Sequence, residues 1–175
     1  MFFLKAPSKN FKESYLNHLD EVKSNSGMHA LFPDTKVREN FDWFVQALLD
    51  CRSEAGVRKH GDDLVPMDVF WLVNDQEYIG RISIRHYLNK ELRSIGGHIG
   101  YDIRPSQRKK GFGSMIMLLG LKEAKKKGFN KVLVTCDETN IGSRKIIERF
   151  DGQFEGKHTD GLKVPKLRYW IHVKN

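Results

Sequence analysis

Cysteine is scarce. Cys51 and Cys136 are the only two in 175 residues, and they fit no disulfide or metal-binding pattern. The seven histidines show no H-x-H or H-E-x-x-H spacing, so a metal site finds no support. No apolar run approaches the ~18 residues needed to span a bilayer. The start, Met1-Phe2-Phe3-Leu4-Lys5-Ala6-Pro7, is too short for a signal peptide and lacks its basic leader, which makes the cytoplasm the expected location. Internal repeats and low-complexity tracts are missing. So are an RNA-binding aromatic motif, a zinc finger and a recognisable helix-turn-helix.

What is present is an ordinary globular composition, with 39% apolar and 30% charged residues. The length suits one domain over residues 1–175 with a substantial core. The net charge of +8 favours a polyanionic ligand. It admits nucleic acid, the weakest reading given the missing motifs. Lys122, Lys125 and Lys126 share one helical face, which reads as solvated surface.

The pattern along the chain is mixed. Ser8 can cap a helix through about Ser24, with Phe11, Tyr15, Leu19 and Val22 on one face. After a turn at Pro33-Asp34, the stripe Val37, Phe41, Phe44, Val45, Leu48 and Leu49 predicts a second helix from Thr35 to about Ser53. Gly56 to Pro66 and His86 to Ser94 read as polar loops. Val69–Val73 and Tyr78–Ile84 are predicted strands joined by a hairpin at Asn74–Glu77, and Gly97–Ile103 is a third. A helix from about Gly111 to Lys127, a strand over Asn130–Cys136, an amphipathic segment ending at Glu148-Arg149 and a strand pair between Gly152 and Val173 complete the order. The fold class is α/β, an α+β layered domain with helices on a mixed central sheet. Residues 1–66 supply N-terminal helices and a loop, and residues 67–175 supply the sheet. Cys136, at the end of a core strand, fits a small buried hydrophobe.

The most specific stretch is Arg104-Pro105-Ser106-Gln107-Arg108-Lys109-Lys110-Gly111-Phe112-Gly113-Ser114. It joins a strand to a helix through two glycines and a cluster of cations. The first N–H groups of a helix lack internal partners and the macrodipole is positive there, so the turn can hold a phosphate. A Walker loop is excluded because Ser114-Met115 follows Gly113. A Rossmann fingerprint is excluded because Ile116 stands where its third glycine belongs. Arg-x-x-Gly-x-Gly remains, from Arg108 to Gly113. A second signature follows it: a strand, then Asn140-x-x-Ser143, a helix and Glu148-Arg149.

The two motifs in this order resemble the GCN5-related N-acetyltransferase (GNAT) superfamily, in a bacterial branch, from about Phe70 to the C-terminus. The resemblance implies a GNAT-like sheet with splayed central strands and acetyl-CoA as co-substrate, with no metal. Acetyl-CoA would lie across the strands ending near Arg104 and Cys136. Pantetheine amides would pair with backbone of Tyr101, Asp102, Ile103 and Arg104. The pyrophosphate would take N–H groups from Arg108, Lys109, Lys110, Gly111, Phe112, Gly113 and Ser114. Asn140, with Ser143 beside it, matches the position that bonds the pantetheine arm, although a helix N-cap explains Asn140 equally well. The implied acceptor is a primary amine on a small molecule or peptide, and a homodimer is admitted.

Amine acetylation needs a base to remove the ammonium proton and an acid for the thiolate. His98 is the expected base, from its strand position and its ordinary pKa of ~6.5; a histidine satisfied within the sheet is the alternative. Asp102 lies two residues on, on the same strand face. The family's usual acid, a Tyr four residues after the motif Ser, is replaced by Ile147. Tyr169, Tyr101 or solvent then supplies the proton. The usual Gly-Phe is altered to Phe150-Asp151-Gly152. The missing Tyr keeps a non-catalytic acyl-CoA binding module as the competing reading.

Overall fold

The computed structural model describes residues 1–23 and 32–174. Its elements are β1 (Phe3–Lys5), α1 (Lys12–Lys23), α2 (Asp34–Glu39), α3 (Phe41–Asp50), α4 (Glu54–Val57), β2 (Met67–Val73), β3 (Tyr78–Arg85), β4 (Ile99–Ile103), α5 (Phe112–Lys126), β5 (Lys131–Asp137), α6 (Ile141–Arg149), β6 (Gln153–His158) and β7 (Lys166–His172). The strands form one sheet in the order β1-β2-β3-β4-β5-β7-β6. Neighbours are antiparallel except β4 and β5. This is the mixed sheet with flanking helices that the sequence predicts.

Period-2 alternation assigns the two faces of the sheet. Met67, Val69, Trp71 and Val73 of β2 join Tyr15, Phe41, Phe44 and Leu48 of α1 and α3 in one core. Tyr15 stacks on Trp71 with ring centroids 5.1 Å apart. On the other face Leu72, Ile82, Ile84 and Ile99 pack with Ile116 and Met117 of α5, and Ile147 of α6.

Four local features depart from the sequence reading. The expected helix from Thr35 to Ser53 breaks at Asn40, whose φ of −141° and ψ of 84° leave the helical region. The Asn40 side chain accepts from the Trp43 N–H at 2.9 Å, so an N-cap interrupts the apolar stripe without disturbing it. The loop from Gly56 begins inside α4, which Ser53 caps by accepting from the Gly56 N–H. The loop from His86 ends in a π-helical turn over Leu92–Gly96. A short strand, β1, pairs with the edge of β2 where the sequence reading placed none. The expected first-helix end at Ser24 lies outside the described residues. The hairpin at Asn74–Glu77 is present, its turn held by Asn74 Oδ1 accepting from Gln76 and Glu77 N–H groups.

The feature that positions the site is a split in the sheet. β4 pairs with β3 over five residues, but its parallel ladder with β5 is a single pair, Ile99 with Val134. Beyond it the strands diverge. Backbone groups of Tyr101–Ile103 and Thr135–Asp137 that face the gap are not paired across it, which leaves them open to a ligand.

Candidate active site

The loop that leaves the open end of β4 is shaped by positive backbone angles. Lys109 has φ 62° and Gly111 has φ 85°. Gly111 is the N-cap of α5 in the left-handed region, a conformation that glycine adopts without strain. A Cβ on Gly113 would stand 2.6 Å from Ile146 Cδ1, so this second glycine lets α5 and α6 approach closely. Among the described residues, the N–H groups of Lys109, Lys110, Gly111, Phe112 and Gly113 make no hydrogen bond within the chain. The first internal donor is Ser114, to the Gly111 carbonyl. Five successive unpaired donors at a helix N-terminus form a concentrated anion cradle. Of the expected cations, Arg108 is folded back, its Nε donating to the Ile103 carbonyl at 3.0 Å. Lys110 reaches Gln107 at 3.1 Å. The cradle is therefore main-chain in character.

Arg104 faces away from it. Its Nε donates to Glu21 of α1 at 2.7 Å, and its N–H is spent on the Ile79 carbonyl. Glu21 also accepts from the N–H and hydroxyl of Ser106. Burial pushes the Glu21 carboxyl up, but the hydrogen bonds from Ser106 and Arg104 outweigh it and hold the group below its ordinary value. This cluster pins the start of the loop between β4 and α5 to α1.

The split between β4 and β5 holds a cavity of about 250 Å³. Gly100, Tyr101 and Asp102 line one side, Thr135, Cys136 and Asp137 the other, and Asn140 and Ser143 the α6 end. The Tyr101 hydroxyl and Ser143 Oγ share a hydrogen bond of 3.0 Å. Burial pushes the Tyr101 phenol up to about 12 and the Cys136 thiol up to about 11, so both carry their protons near neutrality. Asn140 Oδ1 accepts from the Ser143 N–H at 3.0 Å, capping α6. Both Asn140 and Ser143 still line the cavity.

Across the cavity stand alternate residues of β3. Arg81 Nε donates to Asp102 Oδ2 at 2.6 Å, while Asp102 Oδ1 is buried and makes no hydrogen bond. Burial alone would lower the Arg81 pKa, but Asp102 holds it above its ordinary value. Arg81, Ser83 and Arg85 also line a second cavity of about 220 Å³ against α3. The sequence reading overlooked these three. Their signal was the alternation Arg81-Ile82-Ser83-Ile84-Arg85, three polar side chains on one strand face.

The split does not gather every expected residue. His98 sits at its closed end, before the single β4–β5 pair. Its Nδ1 accepts from the Leu133 N–H at 2.9 Å, and its ring lies against Phe129 and Trp170. That bond fixes the proton of the neutral ring on Nε2. Burial, then Arg85 and Arg93, push its pKa down to about 4. Tyr169 lies on β7, a strand beyond β5, with its ring against Phe154. Neither residue lines the cavity in the split. Ile147, where the family carries Tyr, is fully buried in the core.

A profile of the acetyltransferase (GNAT) domain matches residues 18–153. No curated protein sequence is similar enough to match. Solved structures are similar in fold over nearly the whole chain. The ribosomal L7/L12 alpha-N-protein acetyltransferase RimL, in complex with coenzyme A, superposes with a TM-score of 0.69 at 12% identity, covering 98% of this chain and 93% of that one. The microcin C7 self-immunity acetyltransferase MccE, in complex with acetyl-CoA and AMP, gives 0.69 at 14% identity, covering 98% and 92%. An N-acetyltransferase from Staphylococcus aureus Mu50 gives 0.64 at 18% identity, covering 99% of each chain. The matched profile spans most of the sequence and takes in the Arg104–Ser114 loop, the split strands and the Asn140 cap, and on that match the chain belongs to the GNAT acetyltransferase domain family.

Proposed function

We propose that the chain transfers an acetyl group from acetyl-CoA to a primary amine of a small molecule or peptide. The observation that carries this reading is the run of unpaired N–H groups from Lys109 to Gly113, beside a split strand pair. The run suits a pyrophosphate, and the open edges of β4 and β5 suit the amides of a pantetheine arm. Acetyl-CoA supplies an activated thioester. In the transfer a C–N bond forms to the acceptor, the C–S bond breaks, and a thiolate leaves.

The chain's own residues handle the protons. Asp102 lines the split with one oxygen held by Arg81 and the other without a partner. Because Oδ1 is buried, Asp102 takes the ammonium proton at Oδ2 or through one water. The Tyr101–Ser143 hydroxyl pair lies on the opposite face of β4 and gives a proton to the departing thiolate, in place of the Tyr absent at Ile147. Because thiolate is a stable leaving group, this second transfer contributes less than the first. His98, neutral and bonded to Leu133, supports the closed end of the split.

Calorimetric titration with acetyl-CoA, followed by thiol release across an amine panel, tests the reading. Micromolar binding with turnover of at least one amine is expected. Absence of binding overturns it. Binding with no turnover favours the acyl-CoA binding module, the reading to which the buried Ile147 points.

A further inference from the structure

Two ion pairs close around the two cavities. Arg81 is matched by Asp102 at 2.6 Å, and Lys166 by Asp137 at 2.6 Å. Asp63 and Glu91 of the second cavity form no ion pair among the described residues, and neither does Arg85. Its Nη1 donates to the carbonyls of Gly96 and Gly97, at 3.1 and 3.0 Å, and no carboxylate of the described residues forms an ion pair with it. Its Nε and Nη2 make no hydrogen bond and are not among the fully buried unpaired atoms, and Arg85 lines both cavities. The guanidinium lies over Gly100: a Cβ there would be 3.6 Å from Nη1 and from Nη2. Burial first, and then Arg81, pull its pKa down to about 10, against a smaller upward pull from Glu91.

We infer that Arg85 anchors a carboxylate that the acceptor carries next to its amine, so that the acceptor is a small free amino acid with an apolar side chain. The inference rests on the acetyltransferase reading above and narrows it. A guanidinium with two free donor atoms presents the fork that matches a carboxylate. Asp102 stands on the same face of the sheet, opposite Arg81, and the Arg85 guanidinium reaches back over Gly100, two residues before Asp102 on β4. An ammonium placed at Asp102 and a carboxylate at Arg85 are the two ends of an amino acid. The second cavity accepts the side chain. Its floor is Arg81, Ser83 and Arg85, and its wall is mainly apolar, with Leu48, Leu64, Met67 and Val69, although Asp63 and Glu91 also line it. At about 220 Å³ it exceeds the ~150 Å³ that holds a benzene ring, and it would not take a folded protein segment. A peptide N-terminus has an amide where this site would meet a carboxylate.

The test uses the full chain with acetyl-CoA, free apolar amino acids, their α-amides and 4-methylpentanoate, which is leucine without its amine. Acetyl-CoA affinity is measured on every variant. At least one amino acid, leucine or a homologue, is expected to turn over, with its amide at least ~tenfold lower in kcat/KM for loss of a charge-assisted pair. 4-Methylpentanoate is expected to compete with the amino acid in the wild type and to lose that effect in Arg85→Gln. The same variant is expected to raise KM for the amino acid by ~tenfold or more and to abolish the preference over the amide. Arg85→Lys, which keeps the charge without the fork, is expected to fall between. If Arg85→Gln melts early because Gly96 and Gly97 lose their donor, the wild-type amide comparison and Arg85→Lys decide. Equal turnover of amino acid and amide, or no competition by 4-methylpentanoate, or turnover confined to amines that carry no carboxylate, overturns the inference while bound acetyl-CoA leaves the acetyltransferase reading standing. Failure to bind acetyl-CoA overturns both.

Discussion

The two sides of the split between β4 and β5 are built by different means. The proposed phosphate side is one continuous loop, Arg104 to Ser114, and offers main-chain N–H groups presented by two positive-φ residues, Lys109 and Gly111. The proposed acceptor side is assembled from side chains of β3, β4, α3 and the loop before β2, brought together only by the fold. A main-chain site is set by local backbone angles and can be read from a short motif. A side-chain site depends on strand register, and its residues carry no local signature. The same contrast predicts how each side fails: the first through backbone geometry, the second through charge.

The largest expected effect is on the phosphate side. Gly111→Val forces a β-branched residue to φ 85° and should weaken acetyl-CoA binding by more than ~100-fold, because the N–H run would be re-aimed. The space around Gly111 is open, so the lesion is conformational, and Gly111→Asn, which tolerates the left-handed region, should recover much of the affinity. Calorimetry on both variants checks this. Equal damage by Val and Asn would show that side-chain bulk rather than backbone angle matters.

On the acceptor side, Asp102→Asn should lower kcat by ~10²–10⁴-fold with acetyl-CoA affinity intact, as expected for loss of a general base. Steady-state kinetics with calorimetry separate the two quantities. Unchanged kcat would move the base to water. Next, Tyr101→Phe and Ser143→Ala should each cost about tenfold in kcat, well under the base, because thiolate leaves readily. The double variant should be little worse than the stronger single, since the two hydroxyls share one hydrogen bond. Additive losses, or an equal loss in Tyr169→Phe, would break the assignment.

Ile147 sharpens the comparison from inside the core. The sequence suggests that restoring Tyr there could restore an acid. The side chain is fully buried, and Gly152 lies so close that a Cβ on it would stand 2.5 Å from Ile147 Cγ2. Ile147→Tyr should therefore cost about 1–3 kcal/mol of stability and give no gain in rate. A stable variant with faster turnover would contradict the packing account.

The smallest expected effect concerns acid stability. His98 and His18 are both pushed down to about 4 by burial, and His18 has no partner for either ring nitrogen. The unfolded chain binds their protons from about pH 6.5 downward while the folded chain does so only near pH 4. Stability should thus be fully present above pH 6.5 and fall through the window down to about 4. His98→Gln should flatten part of that slope in denaturant titrations and leave the pH–rate profile unchanged. A shifted rate profile would return His98 to the chemistry.

Sequence reading and structure agree most where local chemistry decides. Strand alternation, the Asn74 turn and the Arg108–Gly113 motif were legible because each is a short-range constraint. The break at Asn40 was hidden because the apolar stripe runs through the cap uninterrupted. Strand β1 was hidden because three residues carry no periodicity. Histidine 98 attracted a catalytic role from its position in the chain, whereas its hydrogen bond to Leu133 depends on register between strands far apart in sequence. Arg85 was passed over for the same reason: its unbonded guanidinium nitrogens are visible only in three dimensions.

The claim that a main-chain cradle holds the pyrophosphate can be tested at the atoms themselves. In ¹⁵N-labelled protein titrated with acetyl-CoA, the amide resonances of Lys109, Lys110, Gly111, Phe112 and Gly113 should show the largest shifts in the chain. Titration with pantetheine, which has the arm without the pyrophosphate, should leave these resonances nearly still while moving those of Tyr101 to Ile103. Saturable acetyl-CoA binding that leaves the five amides unmoved would contradict the account.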